Sequence, residues 1–65
     1  MIFFTYNNMI IQQYQKLIKV SEKEIIFIHE KKKVYLQGKD LSISLFEKDE
    51  FVIHGVIDNL VFKDD

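Results

Sequence analysis

The sequence predicts an all-β domain, a small antiparallel meander or roll of about six to eight short strands. Its apolar residues come in short bursts rich in β-branched and aromatic side chains, and polar clusters separate the bursts. This pattern is typical of strands and not of helices. The 65 residues include no Pro and two Gly, so no linker divides the chain. Residues 1–65 are therefore expected to form a single β domain.

Strand patterns alternate with turn signals along the whole chain. The predicted strands are residues 2–6, 9–13, 16–20, 25–29, 33–37, 41–46, 50–55 and 57–62. Asn7 and Asn8 lie between the first two, and Asn tolerates the positive φ that a two-residue hairpin turn needs. Later reversals are predicted at residues 21–23, 30–32, 38–40 and 47–49. Gly38 and Gly55 each end an alternating strand, where a side chain would hinder a bulge or a tight reversal.

Residues 9–20 also fit a helix, because Ile10, Tyr14 and Leu17 could share one helical face. The same residues alternate as a strand would, with Tyr14 and Ile18 on one face. We prefer the strand interpretation because it keeps the hairpin signal at Asn7 and Asn8 meaningful.

Several predicted strands are apolar on both faces, as in residues 25–28, 51–53 and 60–62. A sheet with one solvated face alternates more cleanly, so something must cover the second face. A chain this short can fold over itself into two layers, and the apolar surface that remains predicts self-association through a sheet face. Phe27, Phe51 and Val61 are the predicted interface residues.

Composition argues against catalysis and against cofactors. The chain has no Cys, which excludes a disulfide, a thiolate nucleophile and a cysteine zinc site. His29 and His54 lack the spacing of metal ligands, and no serine has a neighbouring histidine motif. We expect no enzymatic activity, no metal and no cofactor.

Nine lysines, no arginine and ten acidic residues give a net charge of −1, which predicts weak attraction to nucleic acid. The run Lys31-Lys32-Lys33 is predicted to form a solvated turn. The alternative is a small β-barrel that binds nucleic acid through this run. The apolar N-terminal residues are too few for a signal peptide or a membrane helix, so a cytoplasmic protein without membrane insertion is expected.

From Asn8 onward, the order of features resembles the YabP/YqfC family of sporulation proteins. The most specific element is a repeated pattern in which alternating apolar residues precede a glycine and a second apolar strand. The matching segments are Tyr14-Gln-Lys-Leu-Ile-Lys, Glu24-Ile-Ile-Phe-Ile, Val34-Tyr-Leu-Gln-Gly38-Lys-Asp-Leu41-Ser-Ile43 and Phe51-Val-Ile53-His-Gly55-Val-Ile57-Asp-Asn-Leu60-Val-Phe62. The chain differs from the family pattern at Lys16 and in the Lys31 to Lys33 run, where relatives often carry glycine.

The resemblance implies a non-enzymatic assembly or adaptor module that acts in spore coat or cortex formation through protein contacts. It further implies that the protein works beside another sporulation protein associated with a membrane. These are expectations about function, and they rest on the resemblance rather than on the physical pattern.

Overall fold

A computed structural model describes residues 1–5 and 7–64 and confirms the all-β class. The described residues form six antiparallel strands in one sheet, with no helix. The strands are β1 (Ile2–Thr5), β2 (Asn8–Gln12), β3 (Tyr14–Val20), β4 (Glu24–His29), β5 (Lys32–Phe46) and β6 (Glu50–Asp64). The helical alternative for residues 9–20 is wrong, since that stretch supplies β2 and β3.

The strand order is β1-β2-β6-β5-β4-β3. Strands β3 to β6 follow one another as a meander, and the β1–β2 hairpin pairs with the far side of β6. The chain must therefore pass from β2, beside β6, to β3 at the far edge of the sheet. Gln13 makes this crossing in a left-handed conformation (φ 60°), and its N–H donates to the carbonyl of Asp49.

Two strands of 15 residues replace four predicted short ones. The reversal predicted at residues 38–40 is wrong, because β5 continues through it with shifts of register against β6. Gly38 and Gly55 lie at this bend. A Cβ on Gly38 would come 1.9 Å from the carbonyl oxygen of Val56, and Gly55 has a φ of 137°. The glycines thus let two strands bend together where the sequence pattern suggested that the chain turns back.

The bend divides the sheet into two halves, which we name by their outer faces. The lysine half consists of β3, β4 and residues 32–39 and 56–64. The apolar half consists of β1, β2 and residues 42–46 and 50–54. The halves pack face to face, since the rings of Phe27 and Phe51 meet edge to face across the interior at 5.3 Å between centroids.

One continuous core lies between the halves. Its members are Met9, Ile11, Ile25, Phe27, Val34, Leu36, Leu41, Phe51 and Ile53. The predicted interface residues Phe27 and Phe51 are fully buried in it, so that prediction is wrong for both. Burial of a side chain of this size stabilises the fold by about 1.5–3 kcal/mol, which explains why the core takes the two phenylalanines.

The hairpin at the start of the chain turns one residue earlier than predicted. Thr5 pairs with Asn8, so Asn8 belongs to β2 and Asn7 provides the left-handed conformation with a φ of 69°. Tyr6, the predicted end of the first strand, lies outside the described residues. Within the described residues, no helix is long and apolar enough to cross a membrane.

Candidate functional site: two outer sheet faces

The outer face of the lysine half carries its side chains in rows across the strands, because residues paired in a sheet point to the same side. The first row runs Lys16, Ile28, Lys33 and Lys63. The second row runs Lys19, Ile26, Tyr35 and Val61. We call this surface the lysine face. Val61 is the one predicted interface residue that lies on an outer face, and it is half-buried there.

Tyr35 lies beside two of these lysines. The Nζ atoms of Lys33 and Lys63 lie 5.6 and 5.4 Å from the centroid of its ring. Lys33 and Lys63 are direct cross-strand partners, an arrangement of like charges that destabilises a sheet. The ring offsets part of this repulsion through cation–π attraction. Among the described residues, neither lysine forms an ion pair with a carboxylate.

A polar row borders the lysine face. Lys19 and Gln37 donate to the two carboxylate oxygens of Glu24 at 2.9 and 3.2 Å, and Asn59 donates to Gln37 at 3.3 Å. The hydrogen bond from Lys19, followed by the one from Gln37, holds the pKa of Glu24 below its ordinary value. Glu24 is thus ionised and neutralises Lys19. Lys16, Lys33 and Lys63 remain as the excess positive charge.

The outer face of the other half carries an apolar row. Phe3, Ile10, Val52 and Leu45 form an unbroken row across four strands. Phe3 and Leu45 are each 41% exposed, and Ile10 and Val52 are half-buried. We call this surface the apolar face. In β2 and β6 the residues of opposite parity point into the core, and in β5 a shift of register between Ile43 and Leu45 brings Leu45 opposite Val52.

Acidic residues border the apolar face on one side. Glu50 lies next to Val52 along the outer side of β6 and accepts a hydrogen bond of 2.7 Å from Gln12. The adjoining turn between β5 and β6 exposes Glu47, Lys48 and Asp49. With Glu50, this border carries three carboxylates against one lysine.

The two histidines lie in separate environments and have different hydrogen-bond partners. His29 is buried, and its Nε2 atom lies 3.1 Å from the carbonyl oxygen of Gln12. His54 is exposed, and its Nδ1 atom lies 3.0 Å from the side-chain oxygen of Asn8. In the part of the chain that the structure describes, no three His, Cys, Asp or Glu side chains are grouped as metal ligands would be.

Two shallow depressions accompany these faces. One, of about 270 Å³, is lined by Asn7, Asp40, His54, Gly55 and Val56, and the other, of about 250 Å³, by Gln12, Gln13, Asp49 and Glu50. Both are partly open to solvent. An enclosed apolar cleft with converging polar groups is the usual ligand site, and neither depression has that form.

The run from Lys31 to Lys33, through which the nucleic-acid alternative would bind, is dispersed by the fold. Lys31 lies in the β4–β5 turn with a φ of 66°, and Lys32 pairs with Asp64 at 2.7 Å. Only Lys33 joins the lysine face. The row with Lys16 and Lys63 was not foreseen, because lysines so far apart in sequence meet only once the register is known.

Comparison of the chain with protein families, with curated proteins and with solved structures finds no match.

Proposed function

We propose that this protein is a non-enzymatic assembly module that acts through protein contacts. The observation that carries the proposal is the apolar row of Phe3, Ile10, Val52 and Leu45 on an outer sheet face. Scattered apolar residues are ordinary on protein surfaces, but a contiguous exposed row bordered by polar residues is typical of an interaction site. Neither shallow depression has the enclosed form of a small-molecule site, which favours the outer sheet faces as the contact surfaces.

The biological setting of the proposal comes from the resemblance to YabP/YqfC proteins. We infer that the module acts in the sporulating cell, in the cytoplasm, during formation of the spore coat or cortex. A second sporulation protein associated with a membrane is its inferred partner, alongside further copies of the same chain. The segments around Gly38 and Gly55 support this inference, because they carry both the family-like pattern and the bend that creates the two faces.

Site-specific crosslinking tests the proposal. A photoreactive amino acid at position 45 places the probe on the exposed edge of the apolar row, and the same probe at Asp58, an exposed residue outside both faces, is the matched control. In sporulating cells, position 45 is expected to give protein adducts that position 58 does not. Equal labelling from the two positions, or none from position 45, would contradict assembly through the apolar face.

A nucleic-acid-binding module is the second candidate, and the lysine face favours it. Two uncompensated lysines lie beside one tyrosine on a four-stranded surface that also carries Lys16, and such surfaces can hold a phosphate backbone while a base stacks on the aromatic ring. Titration with a 15-nucleotide oligo(dT) at low salt tests it. Salt-sensitive binding that is lost in Lys33→Glu/Lys63→Glu but kept in Lys23→Glu/Lys31→Glu would favour this function.

A further inference from the structure

The two outer faces match one another in pattern. Each presents an apolar row beside a charged region, which is a lysine row on one face and an acidic border on the other. On the lysine face, Ile26, Tyr35 and Val61 lie beside the row of Lys16, Lys33 and Lys63. On the apolar face, the row of Phe3, Ile10, Val52 and Leu45 lies beside Glu50 and the acidic β5–β6 turn.

We propose that the lysine face of one copy binds the apolar face of a second copy, which gives head-to-tail assembly. This inference rests on the proposed assembly function and names its first partner, the same chain. When the apolar rows stack about 10 Å apart, as packed sheets do, the adjoining lysine row and acidic border can also meet. Neither face could pair as well with its own copy, since two lysine faces repel and two acidic borders repel.

The geometry of the contact decides the kind of assembly. The two faces are different surfaces on opposite sides of one molecule, so a bound pair still offers one free lysine face on one copy and one free apolar face on the other. A contact of this heterologous kind continues into a filament or closes into a ring, whereas two identical faces would stop at a dimer. Such open-ended growth suits a module that builds a layer.

The size of the faces sets the expected strength. Four strands at a spacing of about 4.8 Å, with three outward residues each, give a face of about 400 Å² per copy. A contact that buries about 800 Å² in total lies below the range of stable complexes, so single contacts should be weak. Assembly is therefore expected at high micromolar concentration and low salt, with a marked decrease at 0.5 M NaCl because the charged regions are exposed.

Light scattering and sedimentation velocity on purified full chain test the inference. The average mass of the wild-type protein should rise with concentration beyond that of a dimer. Lys33→Glu/Lys63→Glu removes the positive row, and Leu45→Lys places a cation in the apolar row, so each variant should remain monomeric. Lys23→Glu/Lys31→Glu has the same change in net charge away from both faces and should assemble as the wild type does. Circular dichroism of each variant is the control that checks whether it is folded.

Mixing the two defective variants gives the decisive result. Lys33→Glu/Lys63→Glu keeps an intact apolar face, and Leu45→Lys keeps an intact lysine face. An equimolar mixture should therefore form a one-to-one dimer that grows no further. A mixture that stays monomeric, or a wild type that stops at a dimer, would overturn head-to-tail assembly.

The remaining outcomes separate this inference from its alternatives. A wild-type protein that is monomeric at every concentration overturns self-assembly, while adducts from position 45 to other proteins would leave the assembly function standing. Oligo(dT) binding by a monomeric wild type, lost in Lys33→Glu/Lys63→Glu, would assign the lysine face to nucleic acid and overturn the inference as well.

Discussion

Two glycines determine how the sheet bends. Gly38 approaches the backbone of Val56 more closely than any Cβ would allow, and the neighbour is a carbonyl group that cannot rotate away. Gly55 adopts a left-handed φ that L-residues rarely adopt, and a Cβ there would lie 2.7 Å from the carbonyl oxygen of Asp40. Backbone contacts of this kind leave the strands no way to relax without opening the bend.

Gly38→Ala is therefore expected to destabilise the protein by about 3 kcal/mol or more, at the upper end of overpacking effects. Urea unfolding followed by circular dichroism measures the loss. Ser42→Ala, at an exposed strand position a few residues further along β5, is the control and should change the free energy of unfolding by less than about 0.5 kcal/mol. Equal stability of the two variants would contradict the close approach at Gly38.

Phe27 is a core residue, although the sequence suggested that it faces a partner. Truncation to alanine removes a fully buried ring that meets Phe51 edge to face, so Phe27→Ala should cost about 3–5 kcal/mol of unfolding free energy. Phe4 is 61% exposed, and Phe4→Ala should cost less than about 1 kcal/mol. The same urea titration compares them, and similar losses would show that Phe27 is not in the core.

At the scale of elements, the sequence showed where strands lie but not how far they extend or which face is inside. Gly38, Lys39 and Asp40 form a polar cluster with a glycine, which is the signal of a reversal and also of a bulge. Whether the cluster forms a reversal or a bulge depends on whether a second glycine lies opposite it on the neighbouring strand. Pairing of β5 with β6 places Gly55 opposite this cluster. In β4, residues of both parities are apolar, so only the folding of one half over the other determines that Phe27 points inward.

The two long strands differ in how completely their backbone N–H and C=O groups are paired. Residues 33–37 of β5 pair with β4 on one side and β6 on the other. Residues 56–64 of β6 pair only with β5 among the described residues. An edge strand of this kind exposes half of its backbone N–H and C=O groups to solvent.

Amide hydrogen exchange followed by NMR in dilute solution should reveal this difference. Residues 33–37 should all exchange slowly, close to the rate set by global unfolding, whereas alternate amides in residues 56–64 should exchange much faster. Uniform protection along residues 56–64 would mean that this edge is paired, and the open sheet order would then be incomplete.

At the scale of the whole molecule, Lys16, Lys33 and Lys63 are segregated on one face in a way that does not help the monomer fold. The sequence could not assign them to one face, because Lys16, Lys33 and Lys63 come from three strands and meet in one row only through the register of β3 with β4, β4 with β5 and β5 with β6. The composition showed a net charge near zero and so predicted weak attraction to nucleic acid. It could not show that the charges are sorted by face, which depends on register.

This segregation predicts a conflict between stability and assembly. Lys63→Glu replaces a like-charge cross-strand pair with Lys33 by an opposite-charge pair, and such pairs differ by about 0.2–1 kcal/mol each from neutral ones. The change from a like-charge to an opposite-charge pair is worth about 0.4–2 kcal/mol, against about 0.5–1 kcal/mol for the one cation–π contact that is lost while Lys33 stays beside Tyr35. The variant monomer should therefore unfold at a higher urea concentration than the wild type at low salt, with a smaller difference at 0.5 M NaCl.

The same substitution should abolish the rise of mass with concentration, since it places a carboxylate opposite the acidic border of the next copy. Lys31→Glu, in the β4–β5 turn, is the control and should alter neither property strongly. A variant that is both less stable and assembly-defective would indicate that Lys63 acts only by supporting the sheet. A gain in stability with loss of assembly is the result expected of a residue whose charge serves a contact between molecules, because binding sites commonly retain groups that weaken the isolated fold.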